Sequence, residues 1–314
     1  LANVEAAGLM PALTQPDWRT AMSAQLPEAG AVFLDHVAHF VPDMDPAAAA
    51  LERCGFRLTT FTPQTNRVDG RPVAAGTGNR CAMFRRGYVE ILAAVADTPL
   101  ARQLNEGLAR HVGLHLAAFS SADAAAEHRR LAAAGFPVLP LVDMRRPVAT
   151  DDGEEEARFT IARIAPGSMP EGRMQFLTHY TEHLVWPEPS LDHPNGAQAL
   201  AAVWIAAADP TEPVERFARF TGHPTRCDSA IMTIALERGA LRFATPEFLA
   251  NEFGIAPGPP LPYLAATEIE VANLDRLRRR LDNTGLAHQA IADGTAVPLP
   301  PSVGGTILFR ARVS

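Results

Sequence analysis

Phe33-Leu34-Asp35-His36-Val37-Ala38-His39-Phe40-Val41 is the stretch whose reading decides the fold. Val37, His39 and Val41 alternate with His36, Ala38 and Phe40, the period of a half-buried strand. Asp45-Pro46 then open an Ala-rich run that stops at Cys54-Gly55, the acidic, proline-bearing start and glycine end of a helix. Phe56–Phe61 is apolar and threonine-rich and reads as a second strand. Cys81–Phe84 and Tyr88–Val95 read as a hairpin across Arg85-Arg86-Gly87. A single strand-helix-strand-strand-strand unit is too small to close a core, so copies are expected.

Three more follow. The second begins at Val112–Phe119, continues with a helix over Ala122–Ala134 and stops at Gly135-Phe136. The third pairs a strand at Ala201–Ala208 with a helix ending at Thr221-Gly222. The fourth pairs Ala265–Val271 with a helix over Asn273–Asn283 that ends at Gly285. From His36 to Gly55 is 19 positions and from His115 to Gly135 is 20, which sets the two histidines at nearly the same place on their strands. Gly87-Tyr88-Val89-Glu90-Ile91-Leu92 superposes on Gly172-Arg173-Met174-Gln175-Phe176-Leu177, setting Glu90 against Gln175.

These tandem units resemble the vicinal oxygen chelate superfamily, specifically its glyoxalase-like branch. The residues that carry the resemblance are Leu34-Asp35-His36-Val37, Gly76-Thr77-Gly78-Asn79-Arg80, Gly87 to Leu92 and Leu191-Asp192-His193-Pro194-Asn195-Gly196-Ala197. The resemblance implies an α+β chain of four βαβββ units paired into two cup-shaped half-barrel domains. It also implies a divalent metal on the cup floor, held by first- and fourth-strand side chains. The expected division is a leader arm over 1–30, a first domain over 31–182, a linker over 183–196 and a second, degenerate domain over 197–314.

Composition is consistent with this. A chain of 314 residues suggests about two domains. A net charge of −7 without a basic block speaks against nucleic acid as a partner. Cys54, Cys81 and Cys227 show no ligand-type spacing, as expected of a reduced, cytoplasmic protein. No apolar run approaches the roughly 20 residues needed to span a bilayer. A homodimer is compatible with these features.

His36, Glu90 and His115 form the candidate metal set, two imidazoles and a carboxylate suited to Zn, Mn, Ni or Fe as divalent ions. The alternative is that both histidines are half-buried sheet residues and Glu90 satisfies one of them. Glyoxalase I members generally place a second glutamate, ligand and general base, where this chain has Gln175, which cannot take a proton from carbon. His179 lies four residues on, on the same strand face, and is the substitute base. The candidate catalytic residues are therefore Glu90, Gln175 and His179. Thr62–Asn79 reads as a long loop over the cup, with Asn79 and Arg80 at its hinge. Arg80 either holds a substrate carboxylate or pairs with a surface acid. His193 either turns toward a cup or partners Asp192. Val142–Glu156 reads as the equivalent loop in the second unit, its acidic end solvated.

The function expected is a divalent-metal-dependent lyase, isomerase or dioxygenase acting on a small oxygenated substrate. The alternative is metal-free sequestration of a small molecule, of the bleomycin-resistance type. Residues 197–314 carry Val203, Ala266, Arg242 and Arg310 where ligands would stand, so no metal is expected there.

Overall fold

A computed structural model describes residues 25–68, 71–150, 153–256 and 258–312. Most of the expected leader arm, up to residue 24, lies outside the described residues. The chain forms β1 (Phe33–Phe40), α1 (Met44–Arg53), β2 (Thr62–Val68), β3 (Arg71–Met83), β4 (Tyr88–Ala94) and α2 (Pro99–Arg110). It continues with β5 (Gly113–Ser120), α3 (Ala124–Ala133), β6 (Val142–Thr150), β7 (Gly153–Arg163) and β8 (Arg173–His179). After a short connecting helix, α4 (Glu182–Val185), the order repeats. The second half runs β9 (Ala197–Ala206), α5 (Thr211–Thr221), β10 (Thr225–Asp228), β11 (Ile231–Ala235), β12 (Ala240–Ala244), α6 (Pro246–Phe253) and β13 (Tyr263–Val271). It ends with α7 (Leu274–Thr284), β14 (Gln289–Ile291), β15 (Gly294–Pro298) and β16 (Thr306–Ala311).

These are four βαβββ units in two eight-stranded sheets, ordered β2-β3-β4-β1-β5-β8-β7-β6 and β10-β11-β12-β9-β13-β16-β15-β14. The α+β fold read from the sequence holds. In each sheet the two first strands pair antiparallel at the centre, and each pairs parallel with the fourth strand of its own unit. Asp43, Asp123 and Asn273 cap α1, α3 and α7, accepting N–H groups that the first turn would otherwise leave unpaired.

The segments read as loops are strands. Thr62–Asn79 belongs to the β2–β3 hairpin and Val142–Glu156 to the β6–β7 hairpin. Phe56–Phe61 forms no strand. Pro63 and Pro147 misled the reading: β2 and β6 are edge strands, where a missing N–H costs no ladder bond. These two edges approach each other, with Thr65 Oγ1 3.5 Å from the Arg145 carbonyl, and bring the first sheet near to a closed barrel.

One apolar cluster, from Val37 and Phe119 to Phe217 and Phe309, runs through both halves on the sheet faces away from the cups. The crossover helices meet there: Arg53 of α1 donates to the Thr284 carbonyl, and Arg130 of α3 to those of Arg219 and Phe220. Both cups therefore face outward. The second is partly covered by its own helix, beside an open cavity lined by Arg242, Glu268 and Arg310. Leu249 and Phe253 of α6 are buried in this cup, with the Phe253 ring 4.8 Å from Trp204. Among the described residues no helix is long and apolar enough to cross a membrane.

Candidate functional site in the first cup

The first cup encloses a cavity of about 360 Å³. The size is that of a small-molecule site. Two one-residue irregularities in the central β1–β5 pair decide what faces it. The partner sums shift between Leu34 and His36 and between Ala38 and His39, so Asp35 on β1 and His115 on β5 are each the extra residue of a bulge. Parallel pairing sets Ala38 beside Glu90 and Ala118 beside Gln175. Glu90 and Gln175 are thus equivalent, as the sequence reading has it. The residue of the second unit equivalent to His36, however, is Leu116, and that equivalent to Asp35 is His115.

His36 therefore lines the cavity with Glu90 and Gln175, while His115 lines a separate cavity of about 400 Å³. Its Nε2 donates to the His111 carbonyl at 2.8 Å, and its ring stacks on Phe40 with centroids 5.0 Å apart. Burial lowers its pKa to about 4 and keeps it neutral. The expected triad of His36, Glu90 and His115 is not assembled, because the bulge turns His115 off the cup wall.

Asp35, which sequence reasoning passed over, is wholly buried and accepts from two imidazoles. His36 Nδ1 lies 2.7 Å from Oδ1 and His179 Nε2 3.0 Å from Oδ2. A carboxylate only accepts, so both ring nitrogens carry their protons toward it. Burial alone would raise the Asp35 pKa, but His179 and then His36 outweigh it and hold the carboxyl well below its usual range. The His36 ring stacks on Tyr88 at 4.4 Å, and His179 packs edge-on to Trp186 at 4.9 Å. His36 Nε2 has no hydrogen-bond partner among the described residues.

On the neighbouring strand β4, Glu90 accepts from Asn79 and, at 3.3 Å, from Gln64. Asn79 thus faces the cup. Arg80 does not: alternation turns it outward, where it donates to the Thr59 carbonyl at 2.8 Å and pairs with Glu52 at 2.9 Å. His193 is also elsewhere. Its Nδ1 accepts the Arg57 N–H, its Nε2 donates to the Met83 carbonyl, and its ring packs edge-on to Phe56 and Phe84. Arg80 takes the alternative of pairing with a surface acid, whereas His193 follows neither reading, being held by main-chain groups and not by Asp192.

The cavity also receives three guanidinium groups, from Arg146, Arg163 and Arg173. None of them makes a hydrogen bond or ion pair with a described residue. Arg173 shares the strand face of Gln175 and was legible by alternation; Arg146 was hidden because β6 had been read as a loop. Gly172 lets the start of β8 sit against β5, since a Cβ there would fall 2.4 Å from the His115 carbonyl oxygen. Cys81 lines the cavity too, but burial, reinforced by Glu90, raises its thiol well above the usual range, so it is no nucleophile.

Among the described residues no three His, Cys, Asp or Glu side chains form a group able to hold a metal ion. The cup offers one imidazole, one carboxylate engaged by two amides, and one glutamine, facing three cations. That donor set does not fit a divalent ion.

A family profile described as a glyoxalase-like domain matches residues 34–221, more than half of the chain. The chain belongs to the glyoxalase-like domain family. Its fold is that of the vicinal oxygen chelate superfamily. Solved structures share the architecture at low identity. A hypothetical protein from Staphylococcus aureus is 11% identical with a TM-score of 0.61, over 90% of this chain and 100% of that one. A Mn(II)-bound glyoxalase from Novosphingobium aromaticivorans is 12% identical with a TM-score of 0.51, over 90% and 83%. A xylose isomerase-like TIM barrel/4-hydroxyphenylpyruvate dioxygenase fusion protein is 12% identical with a TM-score of 0.51, over 92% and 50%. No curated protein matches the sequence. At these identities the glyoxalase-like domain shares a fold with its neighbours, and its chemistry has to be argued from its own cup.

Proposed function

We propose that the first cup is a small-molecule active site that moves a proton on an oxygenated substrate, with the His36 imidazole as its base. The observation that carries this reading is the Asp35–His36 contact at 2.7 Å. Asp35 accepts the hydrogen bond from Nδ1–H, so the basic lone pair is on Nε2, the ring edge remote from the carboxylate. A carboxylate that fixes the tautomer and stabilises the imidazolium formed in the transition state is how a histidine base is made effective. Met83, Leu92 and Leu116 supply an apolar wall, and the guanidinium of Arg146 is available to stabilise charge developing on a substrate oxygen.

Among the reactions considered for this fold, isomerisation or elimination by proton transfer suits these groups. A Mn(II)-bound relative raises metal-assisted chemistry, but the surplus of cations and the engaged Glu90 argue against a divalent ion here, and with it against dioxygenation. Sequestration without turnover is the second reading, favoured by Gln175 in place of a carboxylate.

Deuterium exchange in D2O, followed by NMR over a panel of small 2-hydroxy and 2-oxo acids and aldehydes, tests the proposal. We expect exchange at the carbon next to the carbonyl or hydroxyl, indifferent to chelator and lost in His36→Asn. Absence of exchange across the panel favours sequestration. Exchange abolished by chelator and restored by Mn(II) would sink the metal-independent reading.

A further inference from the structure

Arg163 closes β7 and Arg173 opens β8. Arg163 pairs across the ladder with Gln175, two residues from Arg173 on the same face, so the two guanidinium groups are diagonal neighbours. Both line the first cup and also the second cavity, the one that contains His115. They form the partition between these spaces. Like charges held together in a half-buried setting are costly unless an anion offsets them, and the protein offers only the charge of Glu90, which acts on Arg173 without forming an ion pair with either arginine. Glu90 is engaged by Gln64 and Asn79. Glu106 lines the second cavity, but it is exposed and forms no ion pair with either arginine among the described residues. Arg163 Nε is sealed from water without a hydrogen-bond partner. The Arg173 guanidinium lies 5.5 Å over the Phe40 ring, which fixes its position without spending its donors. Burial, and then the charge of Arg163, lower the Arg173 pKa to about 10, which leaves it a cation at neutral pH.

We infer that the Arg163–Arg173 pair seats the anionic group, a carboxylate or a phosphate, of the molecule that the first cup takes. Planar forks of N–H donors match either oxyanion in bidentate fashion. The remainder of the ligand lies toward Leu92, Leu116 and Ile161, an apolar wall that favours a hydrocarbon or aromatic body. The inference rests on the cup being a small-molecule site, and not on His36 acting as its base.

Calorimetric titration of the whole protein with benzoate, phenyl phosphate and neutral benzamide tests it. Benzoate or phenyl phosphate should bind, and the tighter of the two identifies the oxyanion. Benzamide should bind at least ~10-fold more weakly, a comparison that requires no variant. Arg173→Met and Arg163→Met, checked for wild-type thermal unfolding, should each weaken the anion by ~10-fold or more, with Arg173→Lys recovering part of the loss. Benzamide binding as tightly as the better anion, failure of both anions to bind, or undiminished affinity in a folded double Met variant would overturn the inference. Anion binding without deuterium exchange would overturn the base and leave the seat, whereas exchange with no preference for anions would do the reverse.

Discussion

His179 Nε2 lies 3.0 Å from Asp35 Oδ2 across 144 residues of chain, on the carboxylate whose other oxygen holds His36. The two units of the first domain are thereby joined through one buried anion, and that anion orients the ring facing the cavity.

Asp35→Asn should be costly. An amide offers one acceptor and one donor, so one imidazole must reverse its tautomer or lose its bond. We expect a loss on the order of 2–4 kcal/mol in denaturant unfolding. The Asp35 pKa is depressed in the folded state, so its contribution is complete above the unfolded value, about 3.9, and shrinks as pH falls through the range below it. The gap between wild type and Asp35→Asn should therefore be constant near neutrality and narrow only in strong acid. A gap that grows toward low pH would contradict this.

Acid should destabilise the wild type earlier, through other groups. Burial lowers His39 and His115 each to about 4, below the unfolded value near 6.5. Between those values the unfolded chain binds more protons, so stability falls as pH drops from about 7 to 4, on the order of 1–3 kcal/mol per histidine. His39→Gln should flatten this slope in thermal scans taken at a series of pH values. An unchanged slope would mean that His39 does not remain neutral in the fold.

Gln175→Glu places a carboxylate opposite Arg163. The new charge should pair with that guanidinium, leaving Mn(II) affinity unchanged and weakening benzoate by several-fold. Hemithioacetal turnover with methylglyoxal and glutathione should stay undetectable in both proteins. A Gln175→Glu variant that gains Mn(II) affinity would show the cup to be a metal site after all.

Glu171, fully buried between β7 and β8, takes a bidentate grip from Arg216 of α5 at 2.8 and 2.9 Å. Glu171→Ala would strand part of that guanidinium, though Glu212 retains a share. We expect about 3–5 kcal/mol of destabilisation and loosened coupling of the halves. Unfolding followed separately by fluorescence and circular dichroism should change from coincident to split transitions; coincidence in the variant would argue that the pair does not couple them.

Much of this was written in the chain. The helix-stop glycines Gly55 and Gly135 are 80 apart, which already sets His36 against position 116 and not 115. The difference between 19 and 20 positions was the trace of that offset. The bulges themselves left no residue signature, since Asp35 and His115 sit in runs that alternate normally. Asp35 was consequently passed over, and its bond to His179 depends on a register set by the whole sheet. The arginines divide in the same way. Arg173 follows from Gln175 by counting two, Arg163 needs the register of β7 against β8, and Arg146 needs the pairing of a hairpin that read as a loop.

The helix that packs into the second cup has a consequence for stoichiometry. Phe248 and Phe253 of α6 cover Trp204, the apolar part of that cup, and Glu268 is already taken by Trp204 and Arg242. An occupant tethered to its own chain acts at a local concentration on the order of millimolar, above that of an ordinary ligand in titration. Although the architecture is doubled, titration with any cup ligand should end at one equivalent per chain.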